Sequence, residues 1–120
     1  MSSRLVQSLL SNAQVLGKNG TIYTTSIKFQ DCVGDTILFI VNTAGRITVS
    51  QQCSFDGVVF YDPVDANGSS LGIVYSDLNA TVGVYISFSP ALASWTRFKI
   101  VEENVEATLV TLKLLFRAEF

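Results

Sequence analysis

Arg46-Ile47-Thr48-Val49-Ser50-Gln51-Gln52-Cys53 is the stretch on which the fold turns. Side chains of an extended chain point alternately to its two faces. Ile47, Val49, Gln51 and Cys53 therefore share one face, and Arg46, Thr48, Ser50 and Gln52 share the other. A period of two marks a β-strand.

Working outward, Asp35–Val41 carries the continuous apolar run Ile37-Leu38-Phe39-Ile40-Val41, which reads as a strand covered on both faces. Thr21–Phe29, rich in Thr, Ile and Tyr, reads as one strand. Val58–Tyr61, Leu71–Ser76, Thr81–Phe88, Trp95–Val101 and Thr108–Phe116 complete a set of about eight. Turn chemistry separates them at Asn42-Thr43-Ala44-Gly45, Phe55-Asp56-Gly57, Asp65-Ala66-Asn67-Gly68 and Asp77-Leu78-Asn79-Ala80. No stretch after residue 20 has a helical period. Short strands at this spacing predict an all-β chain, a two-sheet antiparallel sandwich or barrel, in one domain over residues 21–120.

Residues 1–20 read differently. Leu5, Val6, Leu9 and Leu10 follow a weak i, i+4 pattern, and Asn19-Gly20 punctuates before the first strong strand. The segment is a short N-terminal arm that packs on a neighbour, or else a first strand or short helix of the same subunit. Leu5, Val6, Leu9, Leu10 and Phe120 are the interface candidates. As a secretory signal the segment is poor, because its apolar part is interrupted and one positive charge precedes it.

The end of the chain predicts a hairpin. Thr96, Phe98 and Ile100 face one way, and Val110, Leu112, Leu114 and Phe116 must meet them in the core. Faces stay together across an antiparallel turn when the loop holds an odd number of residues. A loop over Glu102–Glu106 sets Phe98 opposite Val110 and avoids placing Arg97 opposite Lys113, a like-charge pair.

Composition bears on function. Of the 120 residues, 48% are hydrophobic and 15% charged, with no histidine, and the mean hydropathy is +0.39. Soluble domains average about 25% charged residues. A surface this poor in charge has apolar parts, and large apolar patches mark interfaces. The apolar runs fall well short of the ~18 residues that span a bilayer. A net charge of −2 gives no basic stripe for nucleic acid or an anionic membrane. Neither is expected as a partner.

The chemistry-bearing residues are sparse. Without histidine the commonest general base and the Ser-His and Cys-His pairs are missing. The acids are scattered mostly in turns, so no enzyme and no cofactor is expected. Cys32 and Cys53 read as two buried thiols, or alternatively as one disulfide. Asp62, Asp65 and Asn67 concentrate oxygen ligands before Gly68 as a calcium loop would, but lack the bidentate acid. A solvated turn is the other reading. Tyr23, Tyr61, Tyr75, Tyr85 and Trp95 could stack on a sugar or serve core and interface. Arg97, Lys99, Lys113 and Arg117 could line one sheet face. Asn19, Asn67 and Asn79 stand in glycosylation sequons.

Two stretches carry a resemblance. Gln51-Gln52-Cys53-Ser54-Phe55-Asp56-Gly57-Val58-Val59-Phe60 is a strand ending in a Ser-x-Asp-Gly turn with an aromatic shortly after. Trp95–Val101 followed by Ala107–Ala118 is an aromatic-x-Arg strand, then a Thr-Leu-rich strand ending in Arg-Ala. Together, over residues 30–118, they resemble the small β-sandwich structural proteins of phages and related prokaryotic viruses, which decorate capsids or form parts of tails. The resemblance implies a jelly-roll-like sandwich acting by assembly, with partners among its own copies or a major capsid or tail protein, in the virion. The alternatives are a carbohydrate-binding module or receptor-binding tip, with a glycan as partner, and a subunit of an extracellular filament or surface layer.

Overall fold

The computed structural model describes residues 2–8, 14–17, 19–29, 32, 34–42, 45–79, 82–103 and 107–119. Ten strands follow one another: β1 (Ser2–Ser8), β2 (Gln14–Leu16), β3 (Thr21–Tyr23), β4 (Ile27–Lys28), β5 (Thr36–Asn42), β6 (Ile47–Ser54), β7 (Ile73–Leu78), β8 (Val84–Phe88), β9 (Trp95–Glu102) and β10 (Ala107–Glu119). They make two antiparallel sheets of five strands each. The first runs β1-β10-β5-β8, with β2 also on β10. The second runs β3-β9-β6-β7, with β4 also on β9. The fold is an all-β two-sheet sandwich.

The strand order has a simple generator. β1 and β2 share one edge of β10, and β3 and β4 share one edge of β9, so each pair acts as one broken strand. The chain then resembles a long antiparallel hairpin, first strand on last, rolled until its two halves stack. That is the jelly-roll arrangement of two Greek keys.

β5 shows why the sheets stack. Its burial alternates along Thr36–Asn42, with Thr36, Leu38, Ile40 and Asn42 buried and Ile37, Phe39 and Val41 half-buried. The inner face meets its partners across the sandwich. Leu38, Ile40, Leu112 and Leu114 from the first sheet pack against Ile47, Val49, Phe98 and Ile100 from the second, all fully buried. Truncating any of these leucines to alanine costs about 2–5 kcal/mol. Phe29 on Phe116 at 5.3 Å and Phe88 edge-on to Phe98 at 6.1 Å extend the same core.

Several expectations change here. The β9–β10 hairpin does not exist. β9 pairs with β6, β3 and β4, whereas β10 pairs with β1, β2 and β5 in the other sheet. Phe98 and Leu112 do share the core, but from opposite layers. Thr21–Phe29 is broken in two. Thr24 folds its hydroxyl back to accept the Phe98 N–H at 2.9 Å, and the register on β9 slips by one residue between Tyr23↔Lys99 and Ile27↔Thr96. Val58–Tyr61 is a bent loop whose single ladder contact is the Tyr61–Cys53 bridge. The outer face of β5 is not sealed, since Phe39 packs there on Tyr85, itself exposed, at 5.1 Å. Residues Ser2–Ser8 are the edge strand on β10, from Ser2↔Glu119 to Ser8↔Lys113. In that ladder Leu5 stands opposite Phe116 and Val6 opposite Leu115. Leu9, Leu10 and Phe120 lie outside the described residues.

Candidate functional site

The loops 55–72 and 89–94, with Phe29, Cys32 and Asp35, gather at one end of the sandwich, because they adjoin strand ends that the registers place side by side. This end is where the apolar surface concentrates. Phe55 is 90% exposed and Leu92 is 97% exposed, with Val58, Tyr61, Val64 and Leu71 exposed around them.

The backbone beneath these side chains is tightly held. Ser54 Oγ accepts the N–H groups of Asp56 (3.3 Å) and Gly57 (2.9 Å), and donates to Asp56 Oδ1 at 3.0 Å. Asp56 Oδ1 also accepts the N–H of Val58 (2.8 Å) and of Val59 (3.1 Å). Such Ser and Asp bonds to nearby backbone fix a turn. The N–H groups of Val58 and Val59, then the Ser54 hydroxyl, pull the Asp56 carboxyl below its ordinary value. Gly57 sits at φ +79°, where a Cβ would lie 3.1 Å from the Trp95 ring. The turn is clamped on the indole, and Phe55 projects from it. Tyr61 is fixed by paired backbone bonds with Cys53, both 2.9 Å.

Leu92 is held by a different device. Gln51 is buried, 1% exposed, on the core side of β6. Its Oε1 accepts the Ala91 N–H at 2.9 Å, and its Nε2 donates to Ala91 O and Thr96 Oγ1, each at 3.1 Å. The amide thus replaces the ladder partner that the 89–94 loop lacks. Ser89 Oγ adds a bond to Asp35 Oδ1 at 2.6 Å.

Between these loops lies an apolar cavity of about 270 Å³, lined by Cys53, Ser54, Phe55, Tyr61, Leu92 and Ala93. Ligand pockets run from about 300 to 1,000 Å³, so this one suits an inserted side chain better than a cofactor. Burial pushes the Cys53 thiol up from its ordinary pKa, so it stays protonated near neutral pH and is a poor nucleophile. The Cys32 thiol is also pushed up by burial, against the Thr36 hydroxyl beside it at 3.6 Å. The two cysteines are free rather than bridged.

The remaining candidates scatter. Asp62 Oδ1 accepts Gln52 Nε2 at 2.9 Å, whereas Asp65 Oδ1 caps its own turn by accepting the N–H groups of Asn67 (2.8 Å) and Ser69 (2.9 Å). Each of these carboxylates serves a separate hydrogen bond, as in a solvated turn. The tyrosines form no common platform. Tyr23 is on β3, Tyr61 lines the cavity, Tyr75 is on β7 and Tyr85 is on β8 in the other sheet. Trp95 lies under Gly57. The four cations divide by sheet, Arg97 and Lys99 on β9 and Lys113 and Arg117 on β10. Among the described residues no three of His, Cys, Asp and Glu cluster as metal ligands do.

Sequence reasoning missed the positioning role of Gln51. Its signal was present, since the alternation already put Gln51 on the face of Ile47 and Val49. A polar residue on an apolar face is buried with a partner. Comparison with known proteins finds no matching family model and no matching curated protein.

Proposed function

We propose that the chain is a virion structural protein of the decoration, minor capsid or tail-associated kind, which docks its apolar loop end on copies of itself or on a major capsid or tail protein. The observation that carries this reading is the pairing of Phe55 and Leu92, nearly fully exposed, on loops already locked by Asp56 and Gln51. Interfaces are enriched in exposed aromatics such as Phe55, and an apolar anchor at the centre of a patch fills a partner's pocket. Locked loops lose little freedom on docking, which favours association. The cavity between them offers the reciprocal pocket. Low overall charge supports the same reading. The jelly roll serves many capsid domains, and lectins as well, so the fold supports the proposal by analogy alone.

The test is the assembly state of the purified chain, by light scattering on a sizing column and negative-stain microscopy. Assembly into rings, filaments or shells, or binding to capsid shells or tails, is expected. Leu92→Asp and Phe55→Asp each abolish it while leaving the melting temperature near that of the parent. A monomer that binds no shell or tail, or assembly indifferent to both substitutions, overturns the proposal.

A further inference from the structure

Arg97 stands on the outer face of the second sheet, on β9 opposite Gln52. Its guanidinium lies between two rings, with Cζ 4.1 Å from the Tyr23 centroid and 4.3 Å from the Phe60 centroid. Its Nε–H donates to Gln52 Oε1 at 2.8 Å. Gln52 is in turn held by Asp62, which accepts from Nε2 at 2.9 Å. The group is therefore fixed from three sides. None of these contacts uses the two Nη groups, which donate to nothing among the described residues.

A guanidinium carries five N–H donors in a rigid fork that matches a carboxylate in two parallel bonds. Here one donor orients the plane and the fork's end stays open. Lys99 is two residues further along β9 on the same face, opposite Tyr23 on one side and Ser50 on the other. The nearest acid in the network, Asp62, bonds the Gln52 amide and not the guanidinium. The outward positions of β3, β6 and β9 around them, such as Thr21, Tyr23, Ser50 and Val101, include no acid. Two half-buried cations thus stand side by side on β9, with no acid at these described positions of β3, β6 and β9, next to hydroxyls and a half-exposed tyrosine.

We propose that this face binds an acidic sugar. The sugar's carboxylate takes the open fork of Arg97, Lys99 adds a second charge, and the ring lies at the exposed side of Tyr23 within reach of the Ser50 hydroxyl. A hydroxyl-rich ring suits this flat, polar, aromatic-edged surface. The site adjoins the loop end through Phe60 and Asp62, but it uses neither Phe55 nor Leu92 and is tested separately.

The full chain is titrated by calorimetry at low ionic strength with sodium glucuronate, N-acetylneuraminate, acetate and glucose, because exposed charge pairs are screened by salt. One of the two acidic sugars is expected to bind with Kd on the order of millimolar, as befits a few polar contacts, and glucose not at all. Arg97→Lys keeps the charge but loses the fork, and weakens the acidic sugar by about tenfold. Tyr23→Ala, which removes both the ring beside the sugar and one of the supports of the guanidinium, weakens the sugar acids more than acetate. If Arg97→Lys lowers the melting temperature, Lys99→Gln, which breaks no ring contact, decides in its place and must weaken the same ligand. No heat with either acidic sugar overturns the proposal, as does acetate binding as tightly as they do, or an affinity untouched in a folded Arg97→Lys or Lys99→Gln protein.

Discussion

Replacing Gln51 by alanine removes three hydrogen bonds, to Ala91 O, Ala91 N and Thr96 Oγ1. It also leaves a hole in the core. Unsatisfied buried groups of this kind cost about 1–3 kcal/mol each, and the loop's own groups recover part of that in water. A loss of about 3 kcal/mol is expected, seen as a fall of about 10 °C in Tm. Leu92 loses its fixed position with it. Asp56 gives a second test, this one in pH. Its carboxyl is held below its ordinary value of 3.8 by the N–H groups of Val58 and Val59 and the Ser54 hydroxyl. A carboxylate with a lowered folded pKa contributes stability above its unfolded pKa and loses it as pH falls through the folded value. Urea midpoints taken from pH 6 downward should therefore drop below about pH 4. Asp56→Asn keeps an acceptor oxygen and removes the titration, so its curve is flatter over that range. Equal slopes in the two proteins would remove Asp56 from the acid response.

At the scale of the element, the Ser54–Gly57 turn is the joint between β6 and the long loop. Gly57→Ala places a Cβ at φ +79° and 3.1 Å from the indole, and the left-handed backbone alone costs about 1–2 kcal/mol. The chain has one tryptophan, so the shift of the turn is read directly as a change in Trp95 fluorescence together with a lower Tm. The strands themselves were largely legible. β5, β6, β9 and β10 follow their apolar spacing to within a few residues at each end, because a period of two reports one buried face whatever covers it. What covers it is not local information. Phe98 and Leu112 satisfy the same parity across a hairpin as across a sandwich, so the sequence could not tell a turn in one sheet from an arch between two. Val58–Tyr61 misled for the converse reason. Its apolar residues look like a strand, yet Val58, Val59 and Tyr61 are exposed and Phe60 stacks on Arg97, and no period distinguishes an exposed apolar residue from one facing a core. The candidate site was legible only as a shortage of charge. Its place depends on Gln51 and Asp56, polar residues whose roles lie in contacts that strand spacing does not express.

For the whole molecule, one proposed surface is the apolar loop end and the other the cationic face of the second sheet, and they meet where Phe60 and Asp62 touch the Arg97 network. Each substitution offered for one leaves the other in place, so assembly and sugar binding separate experimentally. The sheets also explain how β1 serves the whole. It contributes one edge of the first sheet, and its removal would turn β10 into an open edge along Lys113–Glu119. Deleting residues 1–8 is expected to lower Tm and to produce concentration-dependent scattering, since unpaired edges recruit other chains. A soluble truncated protein with the parental Tm would contradict this.

The same pairing sets a timetable. β1 and β2 find their sheet partner in β10, the last of the ten strands to leave the ribosome. Until then β1 and β2 lack that partner, whereas β6–β7, the one ladder between consecutive strands among the described residues, and β5–β8 can close earlier. Topologies dominated by distant pairings fold slowly, in about milliseconds to seconds. The first sheet is therefore closed along this edge only once β10 reaches β1 and β2.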